Sequence, residues 1–173
     1  GNFSVFTLPM SVISILSGIL AINYRSGQQQ LALQRAASKL AQDIRRTQEM
    51  ATSAKECTHP TVCPTGGVPS RGYGIYFDQN VKSSYIIYAD TGSPDEQRNP
   101  GGGEDIEIIS LEKGVEIDST STPKFSINFK PPDPIVRIKD DAGVDKENVT
   151  IALKADSKTK TITVNKVGRV EID

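Results

Sequence analysis

From Gly1 to Tyr24 this chain carries no charged side chain; the first is Arg25. No other feature of its 173 residues limits the possible folds as much. Residues 3–22 read FSVFTLPMSVISILSGILAI, and a helix of that length runs about 30 Å, the depth of a bilayer's hydrocarbon core. Its large apolar positions are Phe3, Val5, Phe6, Leu8, Val12, Ile13, Ile15, Leu16, Ile19, Leu20 and Ile22. Ser4, Ser11, Ser14 and Ser17 can bond the helix's own carbonyls, so they cost less in lipid than a charge would. Pro9 and Gly18 weaken the ladder, which is tolerable where packed neighbours satisfy the freed backbone groups. A cleaved secretory signal would begin with Met and a basic stretch and end in a small-residue site. That pattern is absent, so the segment is expected to be retained. The alternative, a buried core helix, would be unusually long and has no polar face.

The helical pattern continues past Arg25. The stretch from Arg25 to Glu56 is rich in helix formers and free of proline. Leu33, Ala37, Leu40, Ile44, Thr47 and Ala51 recur at steps of three and four and share one face. Arg35, Lys39, Gln42 and Arg46 fall on the opposite side, a solvated face rather than a phosphate-binding stripe, which would need denser charge. Residues 3–54 therefore read as one helix about 75 Å long. Its first half needs lipid or other helices; in its second half Leu33, Ala37, Leu40, Ile44 and Ala51 need a sheet to lie on.

Beyond residue 70 the period changes to two. Short β-branched or aromatic runs stand at 73–78, 85–89, 106–111, 115–118, 125–129, 135–138, 149–153, 162–164 and 170–172. Phe125/Ile127/Phe129 and Val149/Ile151/Leu153 alternate cleanly with polar neighbours. The short turns between runs favour antiparallel pairing. The exception is 90–104, a long Gly/Pro/Asp-rich stretch whose Pro100-Gly101-Gly102-Gly103 reads as a flexible turn, since no Lys-Ser/Thr follows to make a phosphate cradle. The expected class is α+β: a long N-terminal helix packed on an antiparallel β-sheet domain. The expected divisions are residues 1–24 (apolar helix), 25–56 (its amphipathic continuation) and 57–173 (β-rich head).

Little in the composition supports catalysis. All 20 Lys/Arg and 21 Asp/Glu lie after Tyr24 and nearly cancel, which argues against a general nucleic-acid binder. There is one histidine and there are two cysteines. Cys57 and Cys63 enclose Thr-His-Pro-Thr-Val where the helix should end, and three readings are open. A disulfide formed in an oxidising space is favoured by the membrane segment and the otherwise cysteine-free body. A metal site built from Cys57, His59 and Cys63 lacks a fourth ligand, and a thiol nucleophile with His59 as base lacks a third partner. Asp140, Asp141, Asp145 and Glu147 crowd one loop, but their spacing misses the recognised calcium pattern and a solvated acidic turn is preferred. Asp78 and the Asp140/Asp141 loop are the sole candidate catalytic acids. The chain is expected not to be an enzyme and to need no cofactor or metal.

The uncharged start, SVISILSGILAINYRSG, followed by AASKLAQDIRRTQEMATSA, resembles the long N-terminal helix of type IV pilins and type II secretion pseudopilins. The nearest resemblance is to the minor, H-type (GspH/FimT-like) members. RGYGIYFD, FSINFKPPDP and KTITVNKVGRVEI are similar to their strand motifs. The resemblance implies a subunit that waits in the cytoplasmic membrane with its body outside, and is then extracted by inner-membrane assembly machinery into a surface filament. Its partners would be copies of itself or related pilins, and the apolar positions above, with Gly18, would form the filament core. Ser14, Ser17, Gly18 and Ala21 would allow close helix approach. Two departures stand out. The family's Glu at mature position five is replaced by Val5, or by Met10 if Phe6 is the start, and residues 1–42 contain no acid at all. The proline many members carry near position 22 is Ile22 here.

The expected function is thus a structural subunit of an extracellular, type IV pilus-like filament serving adhesion, motility, DNA uptake or secretion, with any nucleic-acid binding weak and salt-dependent. The rival is a single-pass, membrane-anchored extracytoplasmic binding domain that never polymerises.

Overall fold

The computed structural model describes residues 7–92, 95–131 and 135–173, and only the backbone of the helix before residue 27. Among the described residues one helix, α1 (Thr7–Thr52), precedes nine strands. These are β1 (Tyr73–Asp78), β2 (Ser84–Ala89), β3 (Asp105–Ser110), β4 (Glu116–Thr120), β5 (Lys124–Lys130), β6 (Ile135–Asp140), β7 (Asn148–Ala155), β8 (Lys158–Asn165) and β9 (Val170–Ile172). Among residues whose side chains are described, no helix is long and apolar enough to cross a membrane. The apolar stretch expected to do so, residues 3–22, lies outside them, as do the side chains of all its expected core positions.

The α+β expectation, with one helix on one antiparallel sheet, is corrected. The strands form two antiparallel sheets, ordered β3-β2-β1-β5-β6 and β4-β7-β8-β9, and with a single helix among the described residues the molecule reads as a β-rich domain. Alternation along a strand says which side chains face a core, but not which strand is the neighbour. After β3 the chain does not fold back as a hairpin: β4 pairs with β7, Ile117 with Leu153. The two sheets meet where the amide of Ile117 in β4 donates to the carbonyl of Lys82, just ahead of β2 (2.8 Å).

A single apolar core lies between α1 and both sheets. Helix residues Leu33, Ala36, Ala37, Leu40, Ile44, Met50 and Ala51 meet Ile75, Phe77, Ile127 and Phe129 of the larger sheet and Ile151, Leu153 and Ile162 of the smaller. Phe77 stacks between Tyr85 and Phe125, with ring centroids 5.6 and 4.9 Å away. The helix stops where Ala54 turns left-handed (φ 46°) and the amide of Lys55 returns to the carbonyl of Met50 at 3.0 Å. Cys57 and Cys63 then close a disulfide that fastens the connection toward β1.

β1 and β5 are buried along nearly their whole length, not on alternate residues. The second cover is the connection between β2 and β3, which lies on the sheet face that α1 does not touch. It is no free turn. The Arg98 guanidinium sits 4.8 Å over the Tyr76 ring, its amide donates to Ser126 Oγ at 3.2 Å, and Lys139 Nζ donates to the Asp95 carbonyl at 2.6 Å.

Candidate functional site

Two places combine buried polar groups with possible work. The first is the seat of the helix. The expected packing residues Leu33, Ala37, Leu40, Ile44 and Ala51 all stand in the core. Among them is a residue the apolar spacing did not mark: Asp43, only 8% exposed. Tyr85 Oη donates to Asp43 Oδ2 at 2.6 Å, and Thr47 Oγ1 donates back to the Asp43 carbonyl at 2.7 Å. Burial first, and then the bond to Asp43, raise the Tyr85 phenol above its usual range, so it stays a neutral donor. A second phenol, Tyr73, donates to the Lys55 carbonyl at 2.6 Å and secures the helix end. Outside the core, Arg35 bonds Glu112 (3.1 Å), Arg46 bonds Glu107 (3.2 Å), and Lys158 Nζ donates to Gln30 Oε1 (2.6 Å). The face expected to be merely solvated thus carries two ties to the head.

The second place is the polar layer between the larger sheet and residues 95–104. Tyr88, Gly74, Asn128 and Arg137 stand side by side across β2, β1, β5 and β6. Gly74 is required here, since a Cβ would lie 2.4 Å from the Tyr88 ring. Asn128 Nδ2 donates to Tyr88 Oη at 3.5 Å, while its Oδ1 has no partner. Glu96 takes a left-handed backbone (φ 60°), and its carboxylate lies within 4 Å of four cations: Arg71 (3.9 Å), Lys130 (3.8 Å), Arg137 (3.6 Å) and Lys139 (3.5 Å). Such a backbone costs of order 1 kcal/mol in a residue with a Cβ, and the fourfold charge contact offsets it. At the roots of the segment sit two buried acids, Asp90 and Glu104, at 0% and 1% exposure. Neither was singled out by spacing or composition; the signal available was the pair of glycines in RGYGIYF, marking a close approach to the sheet.

The other sequence candidates have ordinary structural work. Asp78 Oδ1 accepts from the amide and side chain of Asn80 (2.9 and 3.0 Å). Asp140 accepts from the amides of Val144 and Ala142, and those bonds, with Lys146 at 3.0 Å, hold its carboxyl below the usual range. Asp145 lies 3.7 Å from Arg137, and Glu147 lies 2.6 Å from Lys166. His59 Nδ1 accepts from the Val62 amide at 3.3 Å and borders an open groove of about 310 Å³ with Met50, Cys57 and Tyr73. With Cys57 and Cys63 bonded to each other, neither is a thiolate ligand or nucleophile. Among the described residues no three His, Cys, Asp or Glu are placed to hold a metal ion. Comparison with known proteins returns no match to this chain, whether among family models, curated proteins or solved structures.

Proposed function

We propose that this chain is a structural subunit of a type IV pilus-like extracellular filament, akin to the H-type minor pilins, in which packing of N-terminal hydrophobic helices drives assembly. One observation carries the reading. Residues 7–24 of the uncharged segment, which would be insoluble alone, belong to the same unbroken helix, Thr7–Thr52, whose far end is built into the head from Leu33 onward. Such a continuous rod gives a subunit something to exchange between lipid and its neighbours. The subunit would wait in the cytoplasmic membrane, meet inner-membrane assembly machinery, and end at the cell surface beside copies of itself or related pilins. Residues 1–42 hold no acid, so the register this segment supplies along the filament would come from apolar packing, not from a carboxylate–amine pair. The reading assigns no catalysis and no cofactor.

The test is immunogold electron microscopy of surface filaments sheared from cells, with copy number per filament counted by quantitative mass spectrometry. Labelled filaments from the full chain, and none from a chain lacking residues 1–24, are expected. A full chain that stays in the membrane fraction and never labels a filament overturns the proposal in favour of an anchored, non-polymerising binding domain.

A further inference from the structure

Two carboxyl groups stand at the roots of the segment that covers the outer sheet face, and only one is provided for. Glu104 receives two amides of the connection, Gly92 N at 3.2 Å and Asn99 N at 2.8 Å, while its own carbonyl accepts from Ala89 N at 2.9 Å. Asp90, beside it, is wholly buried, and among the described residues neither of its side-chain oxygens has a hydrogen-bond partner. Its backbone amide is tied to the Gly72 carbonyl at 3.0 Å, which fixes the backbone of Asp90 at the Gly72 end of β1. The groups acting on it are unbalanced. Glu104, just ahead of β3, and Asp95 and Glu96 earlier in the segment repel its charge, and Arg71, ahead of β1, is the attracting cation. Arg71 is itself shared with Glu96. From the sheet Asp90 meets the Tyr88 phenol of β2, and β5 sets the neutral amide of Asn128 beside that phenol; the cations of β5 and β6, Lys130, Arg137 and Lys139, are turned to Glu96.

We propose that Asp90 is a proton-operated latch: as the neutral acid it lets residues 95–104 close on the sheet, and as the carboxylate it repels Glu104 and loosens them. Burial, followed by the charge of Glu104, pushes the Asp90 carboxyl up to about 7. Once the segment opens, the group regains an ordinary carboxylate value. Closure is therefore tightest below about pH 4, weakens about tenfold per pH unit as the pH rises, and levels off above about 7, a total change of about a thousandfold. Loosening would uncover Tyr76, Ser126 and Asn128 and would release the sheet cations from Glu96, so a neutral packed face would become a basic one. This device goes beyond the filament reading and does not depend on it.

The experiment uses the full chain in detergent micelles. The Asp90 carboxyl is titrated by carbon NMR, and amide exchange at Arg98 and Asn99, corrected for intrinsic rates, is followed from pH 4.5 to 8. Asp90 titrating near 7, with protection at both amides falling over about pH 5–7, is expected. Asp90→Asn should leave that protection high and flat, with Leu40 and Ile44 amides unchanged as a control on folding. An Asp90 that titrates near 4 in the unaltered chain, or an unaltered pH dependence in Asp90→Asn, overturns the latch. So does recovery of protection at pH 8 on adding calcium chloride alone, which would make the pocket a cation site.

Discussion

The larger sheet is covered twice, by opposite chemistry. On one face α1 lays Leu40 and Ile44 over Ile75, Ile127 and Phe129, an apolar contact into which the buried Asp43–Tyr85 bond is set, with the exposed Arg46–Glu107 pair at its margin. On the other, residues 95–104 rest on Tyr76, Ser126, Arg137 and Lys139 through a cation–π contact, a single hydrogen bond and ion pairs. Ile127 and Asn128 are neighbours on β5, each 0% exposed, yet they belong to these different worlds. The lesson is that equal burial does not mean equal stability. The apolar face gains from every methylene removed from water, whereas the polar face only recovers what its groups lose on leaving it.

Three substitutions grade that difference. Ile127→Ala should cost the most, about 2–5 kcal/mol in urea unfolding, because it opens a cavity between α1 and both neighbouring strands. A loss below about 1 kcal/mol would mean that the apolar face carries less than this comparison assigns it. Tyr85→Phe should come next. It leaves the buried Asp43 carboxylate without its donor, a loss of about 1–3 kcal/mol that a melting curve would register. Arg35→Ala removes an exposed pair with Glu112 and should change stability by less than about 1 kcal/mol. A larger drop would place the exposed ties of the helix on a level with its buried ones.

What the sequence made legible follows from the same contrast. Apolar residues at steps of three and four mark the seat of α1, and period two marks the strand runs, because burial against oil leaves a periodic imprint. Asp43 escaped notice because a charged residue on an apolar face is expected in solvent, not under a tyrosine. The split into two sheets left no mark either, since Val149, Ile151 and Leu153 alternate in the same way whichever sheet they join. The outer cover is aperiodic and rich in glycine and proline, so residues 90–104 read as a long loop with a flexible turn at 100–103. Only Gly72 and Gly74 hinted otherwise. A Cβ on Gly72 would sit 2.0 Å from the Phe129 carbonyl oxygen, so the crowding at that end of β1 is written in the absence of a side chain. The apolar positions before residue 27, which carry the filament reading, fall outside the described side chains.

The unbroken run of α1 from Thr7 to Thr52 has a mechanical corollary. Each residue of a helix advances the bearing by about 100°, and from Thr7 to the head no loop interrupts the count. Whatever grips the front of the rod therefore steers the compass heading of the whole β body, and a turn applied near Thr7 is passed along the helix toward Tyr85 and Tyr73.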